Sequence, residues 1–91
     1  MGLYRRQIME MEVIADHPFI RFKELRKSLK IHPVYLLRDL RRLRKHNFIE
    51  RSGSVYFYKY RLSYKGYLYM KIREYKNLLR SYIELEESYN G

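Results

Sequence analysis

Apolar residues recur at three- and four-residue steps between Leu3 and Asp16, at Tyr4, Ile8, Met11 and Ile14 or Ala15. Arg5, Arg6, Gln7, Glu10 and Glu12 fall largely on the other side, so the stretch predicts an amphipathic helix. His17-Pro18 ends it, because proline disfavours helical geometry in the residue before it. Phe19-Ile20-Arg21-Phe22 alternates over a length suited to one sheet-edge strand. A second helix follows from about Lys23 to Leu29, with Leu25 and Leu29 inward. After a tight break at Lys30-Ile31, Pro33 opens a third helix at the position where its missing amide and fixed φ are harmless. That helix runs to about His46 with Leu36, Leu40 and Leu43 on its inner side, and Asn47 suits a left-handed cap.

Two β-prone runs come next, Phe48–Arg51 and Val55–Leu62, around Ser52-Gly53-Ser54, whose glycine predicts a tight hairpin. Alternation assigns Tyr56, Tyr58, Tyr60 and Leu62 to the core side and Val55, Phe57, Lys59 and Arg61 to the other. Ser63 is a candidate N-cap for a last helix of about 25 residues, ending near Tyr89. Tyr64, Tyr67 and Leu68 at its start are expected to pack on the preceding elements. Along it Leu68, Ile72, Tyr75, Leu79, Tyr82, Glu86 and Tyr89 step by four and three, a heptad seam broken only at Glu86.

The order helix, strand, helix, tight turn, helix, hairpin, long helix is the winged helix-turn-helix arrangement. The expected class is mainly α with a small β-hairpin, in one structural domain. Residues 1–62 form the predicted DNA-binding unit and 63–91 the packing and dimerisation helix. The stretch Phe22 to Pro33, then Leu36 to Leu43, then Asn47-Phe48-Ile49-Glu50-Arg51, resembles the winged-helix regulators of the ArsR, MarR and PadR type. It is also similar to small archaeal winged-helix proteins with a coiled-coil tail. Leu62-Ser63-Tyr64-Lys65-Gly66 resembles the Leu-Thr-x-x-Gly junction of those families, and the likeness covers about residues 8 to 70. One departure is Lys30, where glycine is common in the turn, so that either its φ is strained or the turn is built differently.

Charge adds a partner. Twenty Lys and Arg against ten Asp and Glu give a formal net charge of +10 over 91 residues, a field that favours a polyanion. Between Arg21 and Arg51 there are eleven basic residues against Glu24, Asp39 and Glu50, whereas Glu84-Leu85-Glu86-Glu87 is acidic. The resemblance makes the third helix the recognition element. Its outer stripe is His32, Tyr35, Arg38 and Arg42, flanked by Asp39 and Arg41. Arginine grips guanine O6 and N7 with its two-pronged donor. Tyr35 suits a thymine methyl or a phosphate, and His32 a phosphate at the helix start. Asp39 either accepts from cytosine N4 or holds Arg38 or Arg42. Lys23, Arg26, Lys27, Arg41, Arg44 and Lys45 are expected to meet phosphates, which fix affinity and position rather than sequence. Arg51, Ser52, Gly53 and Ser54 form the wing, whose arginine suits a narrow minor groove.

The heptad residues Leu68, Ile72, Tyr75, Leu79, Tyr82 and Tyr89 are the candidate homodimer contacts; the rival placement folds the last helix back along the first. The expectation is therefore a homodimeric, sequence-specific regulator of transcription, a repressor being the simplest mechanism. An architectural protein that coats duplex DNA is the main rival, and a winged helix used for protein contact is a third reading. No cysteine is present, and His17, His32 and His46 are too scattered for a known ligand spacing. With no phosphate-binding glycine loop, nucleophile elbow or paired carboxylates in the sequence, neither an enzyme nor a cofactor or small-molecule ligand is expected. The absence of a long apolar run and of a secretion signal predicts an intracellular protein without a membrane role. Richness in Tyr, Lys and Arg fits a source in a hot environment.

Overall fold

Met11, Ile14, Ile20, Leu25, Leu36, Leu40, Leu43, Ile49 and Tyr60 form one buried cluster in the computed structural model, which describes residues 2–90, the last by its backbone alone. Met1 and Gly91, the outer ends of the two predicted segments, lie outside the described residues. The elements are α1 (Arg5–Asp16), β1 (Ile20–Arg21), α2 (Phe22–Leu29), α3 (Pro33–Lys45), β2 (Ile49–Ser52), β3 (Lys59–Leu62) and α4 (Tyr64–Asn90). The strands form an antiparallel sheet in the order β1-β3-β2. This is the expected winged helix-turn-helix with a long terminal helix. Among the described residues no helix is long and apolar enough to cross a membrane.

Helix α1 sits at the centre and packs on α2, α3, β3 and the start of α4. That position corrects the expected sidedness, because a helix with neighbours on several sides needs a wide inner face. Gln7 and Glu10 are buried beside Ile8, Met11 and Ile14, while Tyr4 and Ala15 are exposed. Gln7 also holds the helix start, its Oε1 accepting from the Tyr4 amide at 3.0 Å.

The turn between α2 and α3 keeps the ordinary helix-turn-helix path despite lacking glycine. Lys30 adopts the left-handed conformation (φ 54°, ψ 38°), and its amide donates to the Arg26 carbonyl at 2.8 Å. A side chain in this region costs about 1 kcal/mol that glycine would not incur. Asn47 takes the expected positive φ after α3.

The hairpin differs from its expected form. Ile49 pairs with Leu62, Arg51 with Tyr60 and Ser52 with Lys59, so residues 53–58 form the loop and β3 begins only at Lys59. A turn on Ser52-Gly53-Ser54 would have paired Arg51 with Val55. The core decides against it, since Tyr60 must face inward beside its β1 partner Ile20. Within the longer loop Gly53 takes φ +93°, and a Cβ there would lie 2.5 Å from the Phe57 carbonyl oxygen. Tyr58, Tyr60 and Leu62 face the core as expected. Tyr56 does not; it is 87% exposed at the loop apex.

Ser63 caps α4. Its hydroxyl accepts from the Gly66 amide at 3.0 Å and donates to the Asn47 carbonyl, tying the helix to the end of α3. The residues that then meet the core are Gly66, Tyr69 and Met70, not Tyr64, Tyr67 and Leu68, which are exposed. Gly66 sets that orientation, because a Cβ on it would collide with the Phe48 carbonyl oxygen. From Lys71 to Tyr89 every side chain is exposed. Over 27 residues, about 40 Å at 1.5 Å each, α4 dominates the 57 Å long axis of the molecule.

Gly66→Ala tests this seat. Forcing α4 off the β2 approach should cost more than the ~1 kcal/mol of helix propensity that alanine returns. A net loss of about 2 kcal/mol is expected, read as a lower urea midpoint; an unchanged or higher midpoint contradicts the close approach.

Candidate nucleic-acid interface

The register of α3 is fixed by Leu36, Leu40 and Leu43, all buried. One turn of offset then decides what the outer side carries. His32, Val34, Tyr35, Leu37, Arg38, Arg41, Arg42 and Lys45 are exposed, and Arg44 is half-buried. Val34 and Leu37 place two apolar side chains among the cations, a feature that the spacing of the arginines does not show. His32 caps the helix, its Nδ1 accepting from the Val34 amide at 3.2 Å. That bond leaves only Nε2 for a ligand.

Lys23, Arg26 and Lys27 are exposed on α2. They line a shallow depression with Lys30, His32 and Pro33, beside the start of α3. Among the described residues, none of the nine cations from Lys23 to Lys45 has a carboxylate within ion-pair distance. The pairs that do form lie elsewhere: Arg6 with Asp39, Arg61 with Glu50 and Lys71 with Glu74. Unneutralised cations concentrated on two consecutive helices repel one another, and an anion relieves that repulsion.

Asp39 is the correction. It is 1% exposed and cannot reach a base from the outer side of α3. Its carboxylate is gripped from α1: Arg6 Nε donates to Oδ2 at 2.5 Å and Nη2 to Oδ1 at 3.0 Å. Neither Arg38 nor Arg42 is hydrogen-bonded to it among the described residues. Position 39 lies three residues after Leu36 and four before Leu43, so it belongs to the inner stripe, and that spacing was the signal to read.

Two further residues were missed with it. Glu10 on α1 is fully buried, and neither of its carboxyl oxygens meets a donor. The group it faces is the Asp39 carboxylate, and two carboxylates join only through a shared proton. Burial, then the hydrogen bond with Asp39 and its negative charge, push the Glu10 carboxyl up to about 9, against the small lowering effect of Arg6. For Asp39, burial pushes upward, but hydrogen bonds from Arg6 and Glu10 outweigh it and its carboxyl stays below the usual value. Arg6 is raised by its hydrogen bond to Asp39. Its guanidinium also lies over the Tyr35 ring, 5.3 Å from the centroid, as Arg38 does at 5.8 Å. The His32 ring meets Tyr35 edge-on at 5.9 Å.

In the wing, Arg51, Ser52, Gly53 and Ser54 are all exposed. Arg51 is not free-standing: its guanidinium lies 3.7 Å from the centre of the Tyr58 ring. The loop apex carries Val55, Tyr56 and Phe57, each more than half exposed, with Arg21 over Phe57 at 5.9 Å. Arg61 is exposed on the outer side but paired with Glu50 at 2.7 Å, so of the two strand cations Lys59 alone adds unpaired charge. Of the last-helix residues, Leu68, Ile72, Tyr75, Leu79, Tyr82 and Tyr89 are all exposed, and the rival placement along α1 fails to cover them. An open cleft lined by Glu12, Asp16, Arg73 and Glu74 separates α1 from α4. Among the described residues no cluster of His, Asp or Glu has the makings of a metal centre.

No protein-family model and no curated protein sequence matches the chain. Solved structures do. Streptococcus pneumoniae FabT, solved in complex with DNA, is similar over 91% of this chain with a TM-score of 0.72 and 20% identity. The crystal structure of MarR matches over 85% at 0.68 and 27% identity. The transcriptional regulator SlyA matches over 92% at 0.73 and 20% identity. The fold is the MarR-type winged helix. This chain spans 62%, 62% and 61% of the lengths of those three proteins.

Glu10 carries a pH test. From its ordinary 4.5 to about 9 the folded chain holds a proton that the unfolded chain has released. Stability therefore falls as pH rises across that window and levels off above it. Asp39 has the opposite sign, its contribution being lost as pH falls through its lowered value. Glu10→Gln keeps a donor toward Asp39 without the proton, so the variant should melt higher than wild type at pH 8 and show a flatter pH profile from 5 to 9. Parallel profiles in thermal melts would show that Glu10 is ionised in the fold.

Proposed function

We propose that this protein is a transcription regulator that binds duplex DNA in sequence-specific fashion as a homodimer, repressing by occupying its site. The observation that carries the reading is that, among the described residues, the eight cations on α2 and α3 and Lys30 in the turn between them have no carboxylate partners, on a helix-turn-helix whose second helix is exposed along its outer side. The complex of FabT with DNA supports it by likeness of fold. Arg38 and Arg42 read base edges in the major groove, with Tyr35, Val34 and Leu37 available to thymine methyl groups. Lys23, Arg26, Lys27, Arg41, Arg44 and Lys45 meet phosphates, and His32 meets one through Nε2 at the start of α3. Arg51 and the loop at residues 53–58 approach the minor groove.

The homodimer rests on α4. A rod of this length with Leu68, Ile72, Leu79 and Tyr82 exposed is stabilised in water by packing rather than by propensity. Among the described residues, every side chain of the rod from Lys71 to Tyr89 is left exposed by its own chain. A second copy of the seam supplies the cover, and a two-fold pair presents two recognition helices to half-sites about one turn of DNA apart. The density of arginine on α3 favours, as second reading, an architectural protein that coats DNA.

Selection of bound duplexes from a random pool at about 150 mM salt separates the readings. The regulator recovers an inverted repeat with half-sites near 10 base pairs apart; the architectural protein retains the pool without enrichment. Arg38→Ala combined with Arg42→Ala should lose the sequence preference and leave the dimer mass intact, whereas unchanged selectivity removes those residues from base reading. Ile72→Asp with Leu79→Asp should give monomers by light scattering and weaken binding by at least tenfold, through loss of the second half-site. A mass unchanged from wild type places the dimer seam elsewhere.

A further inference from the structure

Arg6 lies outside the helix-turn-helix, on the first turn of α1, yet it is attached to the recognition helix at two points. One is the side-on, two-bond grip on Asp39, and the other is the stacking over Tyr35. Tyr35 belongs to the outer side of α3, 47% exposed, and the same ring carries Arg38. Arg6 and Arg38 thus both lie against the Tyr35 ring, at the rim of the surface assigned to base reading, with 43% of the Arg6 side chain open to solvent. We infer that Arg6 is a specificity-determining residue of the DNA surface, presented from α1 to grip the O6 and N7 acceptors of one guanine beside the one met by Arg38. The inference rests on the duplex-DNA reading above.

The chemistry follows from the donor count. A guanidinium has five N–H groups in a rigid plane. Asp39 takes the Nε–H and one Nη2–H on one edge. The other Nη2–H and the Nη1 hydrogens remain, and two of them form a parallel pair at the end of the fork, the arrangement that matches guanine O6 and N7. A flexible surface arginine loses rotamer freedom when it binds; this one has already lost most of it to the fold. Its anchor is rigid in turn, because Asp39 is buried and backed by Glu10. Binding a base edge leaves the Asp39 bonds intact, so nothing buried is exposed on recognition.

Lysine at position 6 keeps the charge and one bond to Asp39 but lacks the second pair of donors, so Arg6→Lys is the informative variant. Thermal melts identify variants that keep the fold. In random-duplex selection, wild type should enrich one guanine per half-site whose preference Arg6→Lys loses by about tenfold, the other positions keeping theirs. Substituting 7-deazaguanine at that position, which removes N7 without changing pairing, should weaken wild type and leave Arg6→Lys indifferent. This second measurement uses the wild-type protein and does not depend on the variant's folding. If wild type enriches a motif that Arg6→Lys recovers unchanged, or the variant weakens binding equally to all sequences, Arg6 is not a base reader while the regulator reading stands. If wild type enriches no sequence, both fall together.

Discussion

A carboxylate without access to water sits in the middle of α3, and the pose of that helix depends on how its charge is answered. Taking Asp39 out of water costs several kcal/mol unless a cation with good geometry and further hydrogen bonds replace the lost hydration. Arg6 supplies the two-bond cation, and Glu10 supplies the proton-bearing neighbour. Both come from α1, so the ion pair works as a positional key between α1 and α3 more than as a source of net stability. The apolar contacts of Leu36, Leu40 and Leu43 tolerate small slides of one helix on another; a bidentate pair in a low-dielectric setting does not. The central helix therefore determines how the outer side of α3 is presented.

The charge pattern has two regimes that the net value of +10 conceals. Near the core and on the sheet, Lys59 apart, cations are matched: Arg6 by Asp39, Arg61 by Glu50, and Arg51 and Arg21 by the faces of Tyr58 and Phe57. Among the described residues, those on α2 and the outer side of α3 are left without carboxylates, Arg38 alone lying over an aromatic ring, that of Tyr35. Matched cations are parts of the fold, and unmatched ones are available to a ligand. Arg6 belongs to both groups, since a guanidinium has more donors than one carboxylate can use.

The helices were legible in the sequence because periodicity and punctuation agreed. Pro18 closed α1, Pro33 opened α3, Asn47 and Ser63 marked the ends around the sheet, and the structure places each where the local chemistry put it. What stayed hidden was relational. Polar residues in a helix were read as facing water, so Gln7, Glu10 and Asp39 went to the wrong side although their spacing matched the apolar stripes. Hairpin chemistry at Ser52-Gly53-Ser54 favoured a tight turn, and the demand of Tyr60 for a place in the core overruled it, moving the strand start to Lys59. The packing side of α4 was chosen from bulky residues, whereas the residue that governs it is the one with no side chain. Of the proposed DNA surface, the arginines of α3 were visible from the helix register, and Arg6 was not, because its role depends on a contact 33 residues away.

That glycine has a mechanical consequence. Gly66 lies against the Phe48 backbone in the first turn of a rod that runs to residue 90, so the rod is clamped at one end and open along the rest. A clamped rod converts rotation at its base into translation at its tip. With about 36 Å of helix beyond it, a tilt of about 10° at Gly66 carries the far end roughly 6 Å, more than one helical turn. A change too small to disturb the core at Phe48 is therefore large at Tyr89, and the chain carries a lever whose fulcrum is a single hydrogen atom.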